Sequence, residues 1–199
     1  MDMLASAFSK KYPTSMETYV GGDKKPTVKT AAEVVEHLKS RVGEAITACE
    51  VRDYKYGASE RLVQNIFLAV ELGSFLALVD AMGELDFPHF HVLSGNDDGD
   101  TISQNYHFSL FRREGRGHEV SVCVTINVPK SNPVVPSLHS RIPGVGFSER
   151  EMFEMLGIDH DGQPVKDLVF LPDGWDRSIL PWRRDETGPE GKGVINELS

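Results

Sequence analysis

Three histidines and one cysteine are the side chains of this sequence best suited to bind a metal ion. His89, His91, His107 and Cys123 fall in three segments with strand character, where alternation places all four on the less apolar face. Imidazole and thiolate are ligands that zinc prefers, so a stand-alone zinc-dependent hydrolase is one hypothesis. The spacing of these residues matches no characteristic zinc motif, and we predict no metal site.

A loop rich in aspartate is a second candidate for metal binding. Asp97, Asp98 and Asp100 lie close together, but the sequence lacks the ligand pattern of an EF-type calcium loop, which ends in Glu. The Asn and Gly residues among them are typical of a tight turn. We interpret this segment as a hairpin turn between two strands.

A short helical pattern near the C-terminus contains three glutamates. Glu149, Glu151 and Glu154 could supply the paired carboxylates of acid–base catalysis. The first two fall in the opening turn of the predicted helix, where the helix dipole favours negative charge. Ser148 and Glu151 also have the spacing of a capping box. We therefore predict that these residues cap the helix, and we predict no catalytic residue.

The sequence shows no recognisable set of residues that would bind a cofactor. Cys49 and Cys123 lie far apart and form no C-x-x-C pair, whereas an iron–sulfur cluster is commonly held by four thiolates. The sequence has no phosphate-binding loop, dinucleotide fingerprint or nucleophile elbow. We predict no cofactor, so any redox centre that this protein serves would belong to another chain.

The net charge of the chain limits the kinds of molecule that it is expected to bind. The chain has 199 residues and a formal net charge of −9, which disfavours nucleic acid and anionic membrane surfaces as its main partner. No apolar run approaches the roughly 20 residues needed to cross a bilayer, so we predict no direct membrane insertion. These observations favour protein partners and a cytoplasmic location.

Local patterns predict one domain between two less regular ends. Thr30 and Glu33 form a capping box at the start of a helix that Gly43 ends. Residues 1–30 are predicted to be a flexible N-terminal segment. The further predicted elements are strands at 46–54, 61–70, 88–93, 102–111 and 119–128, and helices at 73–85 and 148–156.

The strand at 119–128 gives the clearest pattern. Five apolar side chains alternate with polar ones, which indicates a strand with one buried face. Short joins rich in Gly, Asn and Asp favour antiparallel pairing. We therefore predict an α+β domain over residues 31–157, with an antiparallel-dominated sheet covered by a few helices. The alternating apolar residues are Val120, Val122, Val124, Ile126 and Val128.

The region after Gly157 differs in composition from the rest. Glycine and proline recur through it, so residues 158–199 are predicted to form an extended C-terminal assembly tail. Trp175, Trp182, Arg183 and Arg184 are residue types that anchor protein interfaces. We expect this tail to become ordered against a partner protein.

Three motifs stand in order in this region, SEREMFEMLGI at 148–158, LPDGW at 171–175 and PWRRD at 181–185. Together they resemble the 30 kDa subunit family of respiratory complex I, the NADH dehydrogenase of the respiratory chain. The family shows a Glu-Arg-Glu helix ending in Gly-Ile or Gly-Val, a Leu-Pro-x-x-Trp segment and a terminal Pro-Leu-Arg-Lys-Asp element, in this order. Two departures from the family pattern are Gly-Gln-Pro at 162–164, where the family has Gly-His-Pro, and Trp-Arg-Arg at 182–184.

The resemblance implies a role in a larger complex. The same module occurs in energy-converting membrane-bound nickel–iron hydrogenases and formate hydrogenlyases, and the Met-rich helix is nearer to that branch. The resemblance implies a non-catalytic subunit of the peripheral arm, docked on the large hydrogenase-like subunit and the small iron–sulfur subunit at the cytoplasmic side of the membrane. The equivalent subunit of an NADH or related quinone dehydrogenase is the alternative. The predicted partner-binding residues are Glu149, Arg150, Glu151, Trp175, Trp182, Arg183, Arg184 and Asp185.

Overall fold

The structure is a computed structural model that describes residues 27–58, 61–114 and 117–194. Most of the predicted flexible segment 1–30, and the last five residues of the predicted tail, lie outside these ranges. Within the described residues, no helix is both long enough and apolar enough to span a membrane.

The described chain forms three helices and two sheets. A mostly antiparallel sheet has the strand order β1-β2-β5-β4-β3, and a smaller parallel sheet pairs β6 with β7. The α+β prediction is therefore confirmed. The helices are α1 Ala31–Val42, α2 Phe75–Gly83 and α3 Gly146–Leu156, and the strands are β1 Ile46–Tyr56, β2 Arg61–Val70, β3 His89–Asp97, β4 Thr101–Leu110, β5 Val120–Pro129, β6 Val134–Pro136 and β7 Asp159–Asp161.

The chain divides into two compact units. Unit 1 contains the residues up to His91 together with His107–Val124, and unit 2 contains Val92–Tyr106 together with the residues from Thr125 onward. The domain boundary that the sequence predicts at Gly157 falls inside unit 2.

In unit 1, α1 and α2 supply most of the helical core. The predicted capping box is present, because the Thr30 hydroxyl accepts from the Glu33 N–H and the Glu33 carboxylate accepts from the Thr30 N–H. Gly43 ends α1 with a φ of 56°, a value that glycine adopts without strain. The buried apolar residues of this unit include Val34, Leu38, Ile66, Leu68, Phe75, Leu78 and Met82.

In unit 2, the start of α3 differs from the prediction. The helix begins at Gly146, directly after a short 3-10 turn at Pro143–Val145, and its N-cap residue makes no side-chain hydrogen bond. The capping box predicted at Ser148 is therefore wrong. The predicted stop is correct, since Gly157 adopts the left-handed conformation with a φ of 71°.

Strand β5 confirms the predicted alternation. All five apolar residues of the pattern are buried, whereas Ser121, Cys123 and Thr125 are half-buried and Asn127 is exposed. Local spacing alone therefore gave the correct register for this strand.

Truncating one side chain of β5 tests this register. Val124 is fully buried, so Val124→Ala is expected to lower the free energy of unfolding by about 2 kcal/mol, through lost apolar burial and the cavity left behind. Asn127→Ala on the same strand should change it by less than about 0.5 kcal/mol. Urea unfolding of both variants gives the comparison, and the reverse order of effects would place the strand one residue out of register.

Candidate partner-binding surface

Helix α3 and the chain after it contain all eight predicted partner-binding residues. Glu149 is 1% exposed, and its carboxylate accepts hydrogen bonds from the Ser137 hydroxyl at 2.6 Å, the Leu138 N–H at 2.8 Å and the Gln163 amide at 2.8 Å. Burial raises the pKa of Glu149, although these donors oppose the shift. The predicted capping role is wrong for this residue, which joins α3 to the chain on either side of it.

Two other residues of α3 hold the following segment in place. The buried Glu154 carboxylate accepts from the backbone N–H groups of Val169 and Phe170, each at 2.9 Å. Arg150 lies one helical turn earlier, on the same face, and its Nε donates to the carbonyl of Asp167 at 3.0 Å. The segment around residues 167–171 is thus fixed to α3 by half-buried hydrogen bonds from Glu154 and an exposed one from Arg150.

Glu151 takes no part in this arrangement. It is half-buried on α3, and burial followed by the neighbouring Glu154 carboxylate raises its pKa. Its predicted role in binding a partner stays a prediction.

An exposed aromatic pair lies beside these contacts. Phe147 is 60% exposed and Phe170 is 59% exposed, and their rings meet edge to face with centroids 6.3 Å apart. The Arg150 guanidinium lies 5.7 Å from the centre of the Phe147 ring. Sequence analysis missed this pair because the two residues are far apart in the chain and belong to no shared pattern.

The C-terminal motif at 181–185 packs against the end of α3. Arg183 is 8% exposed, and its Nε donates to the Leu156 carbonyl at 2.7 Å. The Trp182 backbone N–H donates to the Met155 carbonyl at 3.0 Å. A cation at the C-terminus of a helix satisfies free carbonyls and interacts favourably with the helix dipole. Arg183 therefore attaches the tail to the chain's own helix.

A group of three charged side chains, of which Asp97 is buried and Lys130 and Asp185 are half-buried, completes this attachment. The Lys130 Nζ lies 2.6 Å from the Asp97 carboxylate and 2.8 Å from the Asp185 carboxylate, and the Arg184 N–H donates to Asp97 at 2.8 Å. Burial raises the pKa values of Asp97 and Asp185, but hydrogen bonds from Lys130 and nearby groups outweigh it and hold both below their usual range. We call Lys130, Asp97 and Asp185 the charge clasp.

The residues of the C-terminal motif at 181–185 fall into two groups that differ in exposure. The Arg183 and Asp185 side chains are buried or half-buried against the chain itself, whereas Trp182 is 42% exposed and the exposed Arg184 guanidinium donates to the Asn96 side chain at 3.4 Å. Trp175 lies between these cases, because it is half-buried and its indole N–H donates to the Ile179 carbonyl at 2.9 Å. The backbone of the exposed members is therefore held by hydrogen bonds within unit 2.

Strand β7 contains a buried polar residue, His160. His160 in β7 is 2% exposed, and its Nε2 lies 3.2 Å from the Gln104 amide nitrogen and 3.4 Å from the Tyr106 hydroxyl. Because an amide nitrogen only donates, Nε2 accepts and the neutral ring carries its proton on Nδ1. Burial lowers the pKa of His160 to about 4, so the ring is neutral at pH 7.

The His89 and His91 rings of the large sheet meet edge to face with centroids 5.0 Å apart. His91 Nε2 lies 2.9 Å from the Ser109 hydroxyl, and His107 Nε2 lies 4.0 Å from the Cys123 sulfur. Across residues 27–58, 61–114 and 117–194, no three His, Cys, Asp or Glu side chains come together as a metal site. The zinc-hydrolase hypothesis therefore has no site among the described residues.

Comparison with known families identifies the chain. The family model described as "Respiratory-chain NADH dehydrogenase, 30 Kd subunit" matches residues 68–192. The chain belongs to the respiratory-chain NADH dehydrogenase 30 Kd subunit family. This result confirms the resemblance drawn from the three motifs. The match to the 30 Kd subunit family begins within β2, so α1 and β1 lie outside it.

The chain is also similar to named subunits of a membrane-bound hydrogenase and of quinone oxidoreductases. The chain is 35% identical to the membrane-bound hydrogenase subunit beta of Pyrococcus furiosus, over 67% of this chain and 76% of the relative. It is 36% identical to a subunit of the NADH-quinone oxidoreductase of Roseiflexus castenholzii, over 40% of this chain and 42% of the relative. It is 33% identical to the chloroplastic NAD(P)H-quinone oxidoreductase subunit J of Daucus carota, over 46% of this chain and 56% of the relative.

Two solved structures share the fold. The first belongs to the membrane-bound sulfane sulfur reductase, described as an archaeal respiratory membrane complex, with a TM-score of 0.60 and 14% identity over 85% of this chain and 91% of that chain. The second is a trypsin-resistant fragment of Nqo5, with a TM-score of 0.51 and 18% identity over 67% of this chain and 97% of that fragment. At these identities the likeness concerns the fold alone.

Proposed function

We propose that this chain is a non-catalytic assembly subunit in the peripheral arm of a membrane-bound oxidoreductase complex of the hydrogenase type. It binds the large hydrogenase-like subunit and the small iron–sulfur subunit, and through them it resides at the cytoplasmic side of the membrane. The chain carries no cofactor and no active site of its own in this proposal. Membership of the 30 Kd subunit family and the match to a hydrogenase subunit beta support it.

One structural observation carries the proposal, namely the division of the C-terminal motif. The side chains of Arg183 and Asp185 are buried or half-buried in contacts within unit 2, whereas Trp182 is exposed and the exposed Arg184 guanidinium makes a long hydrogen bond of 3.4 Å to Asn96. Tryptophan and arginine are enriched among the residues that dominate binding energy at interfaces. A segment whose backbone is fixed before binding also loses less conformational entropy on binding, and the Trp182 and Arg184 backbone N–H groups are both hydrogen-bonded within unit 2.

Co-purification of the complex tests this function. With the large subunit tagged in cells that make the complex, Trp182→Ala combined with Arg184→Ala should weaken binding of the chain about thirtyfold or more, since two interface anchors are removed. The chain's content in the purified complex is measured by quantitative mass spectrometry. The matched control combines Leu62→Ala with Lys39→Ala, which removes an exposed apolar side chain and an exposed cation from unit 1.

The outcomes of this experiment separate clearly. Loss of the chain in the Trp182 and Arg184 variant, with retention of the control, supports the proposal. A wild-type chain that never accompanies the large subunit contradicts the function itself. Equal retention of both variants contradicts the assignment of Trp182 and Arg184 as anchors.

The same purification distinguishes the hydrogenase branch from the alternative, in which the chain is the equivalent subunit of an NADH or related quinone dehydrogenase. A large subunit with paired C-x-x-C motifs, the pattern expected of a nickel–iron hydrogenase, supports the hydrogenase branch. The match to a hydrogenase subunit beta spans 76% of that relative, against 42% for the relative from an NADH-quinone oxidoreductase, and so favours the first branch.

A further inference from the structure

An apolar cleft of about 200 Å³ opens between α3 and the segment that follows it in unit 2. Its walls are made by six half-buried apolar side chains, which come from the helix and from the chain at 168–180. They are Phe153, Leu168, Leu171, Trp175, Ile179 and Leu180.

The polar groups in the walls of the cleft already have hydrogen-bond partners within unit 2. The Glu154 carboxylate accepts from the backbone of residues 169–171, and the Trp175 indole donates to the Ile179 carbonyl. The Trp175 backbone N–H donates to the Pro172 carbonyl at 2.9 Å, and this bond closes the turn of the LPDGW motif. The walls therefore form within unit 2 and offer mainly apolar surface to an occupant.

One charged side chain at the cleft is free. Arg177 lines the cleft and is exposed, and among the described residues it has no hydrogen bond or ion pair. An unpaired guanidinium beside an apolar cleft complements a carboxylate that follows an apolar group. The nearby Glu154 does not neutralise it by a direct contact, because its oxygens accept from backbone N–H groups.

The size of the cleft limits the occupant further. Small-molecule sites commonly enclose about 300–1,000 Å³, so a cleft of about 200 Å³ suits a single large side chain better than a cofactor. Interfaces often place one such side chain of a partner in a pocket of this kind.

We infer that this cleft receives one large apolar side chain, such as Leu or Phe, from a partner-protein segment in which an Asp, a Glu or a chain-terminal carboxylate stands next to it. The apolar group enters between Leu171 and Trp175, and the carboxylate pairs with Arg177. The inference rests on the proposed function, and it names the chemistry of the segment that the complex must supply.

The isolated 199-residue chain allows a direct test with small probes. N-acetyl-L-leucine carries the apolar group and the carboxylate, whereas N-acetyl-L-leucinamide carries the apolar group alone. Titration followed by the NMR signal of the Trp175 indole N–H should show saturable binding of both, with the carboxylate probe binding about two- to fivefold tighter. Arg177→Gln should remove that difference, and a Trp182 signal that stays unchanged serves as the internal control.

A second test uses the complex. Arg177→Glu, with Trp182 and Arg184 intact, should lower co-purification with the tagged large subunit about tenfold, and Lys39→Glu in unit 1 should leave it unchanged. Arg177→Lys keeps a cation and should retain most of the binding.

Each outcome bears on the inference separately from the proposed function. An Arg177→Glu chain that assembles normally, while the Trp182 and Arg184 variant does not, overturns the cleft and leaves the function in place. Absence of probe binding, or equal affinity for the two probes, also overturns it. A chain that self-associates through Arg177 in light scattering would show that a second copy fills the cleft, and this too contradicts a partner protein as the occupant.

Discussion

Replacing Lys130 with methionine is expected to lower the free energy of unfolding by about 3–5 kcal/mol. The Asp97 side chain is 1% exposed, and its charge is compensated by the Lys130 Nζ at 2.6 Å and by the Arg184 and Gly99 N–H groups. Methionine keeps most of the lysine stem but removes the ammonium, so a buried carboxylate loses its counter-charge. Urea unfolding at pH 7, followed by circular dichroism, measures the loss.

A surface ion pair of the same type provides the control. Lys166 and Asp159 contact each other with side chains 45% and 44% exposed, so Lys166→Met should cost less than about 1 kcal/mol. Adding Asp97→Asn to Lys130→Met should restore part of the loss, because the buried charge disappears. Similar losses for the Lys130 and Lys166 variants would show that the charge clasp contributes little.

Lowering the pH from 7 to 4 is expected to destabilise the wild-type chain by up to about 3 kcal/mol through His160 alone. Its pKa in the folded chain is about 4, below the ordinary value of 6.5, so between these values the unfolded chain binds the extra proton. The stability that His160 contributes is thus full above pH 6.5 and is lost as the pH falls towards 4. Each pH unit in this window is worth about 1.4 kcal/mol.

Other ionisable groups around His160 also influence the profile. Burial lowers the pKa of His160 most, the Asp159 carboxylate and the Glu149 backbone oppose it, and the Lys166 ammonium lowers the pKa further. Glu149 acts in the opposite direction, since its raised pKa makes its own contribution fall as the pH rises above 4.5. A comparison of variants is therefore more informative than the wild-type profile by itself.

His160→Gln isolates the contribution of this side chain. Glutamine keeps a polar group near Gln104 but does not titrate, so the decline in unfolding free energy between pH 7 and pH 4 should be smaller by up to about 3 kcal/mol than in the wild-type chain. His118→Gln, at an exposed position, should leave the profile unchanged. Parallel wild-type and His160→Gln profiles would show that His160 is protonated equally in the folded and unfolded chains.

The large sheet was predictable because strand patterns depend only on near neighbours. Val120 to Val128 alternate within one segment, and the structure buries every predicted residue. Strands β6 and β7 have three residues each, which is too short for a period to show, and sequence analysis missed both. Irregular structure after Asp161, by contrast, follows from the frequency of glycine and proline there.

The roles of the charged residues could not be predicted in the same way. Ser148 and Glu151 have the right spacing for a capping box, but the 3-10 turn at Pro143–Val145 starts the helix earlier. Glu149 binds Ser137 and Gln163, and Lys130 binds Asp185 at a separation of 55 positions. Such contacts depend on tertiary structure, and a single sequence contains no local signal for them.

The hydrogen bond between Arg184 and Asp97 of the charge clasp can form only late in protein synthesis. The bond between the Arg184 N–H and Asp97 joins residues 87 positions apart. At about 5–20 residues per second, the ribosome needs roughly 4–17 seconds to add the intervening chain, and throughout that time Asp97 lacks one of its donors. Trp182 and Arg184 are synthesised only after this delay, so the surface proposed to bind a partner is absent while most of unit 2 is being made. Under the proposed function, a half-made chain would therefore lack both proposed anchors.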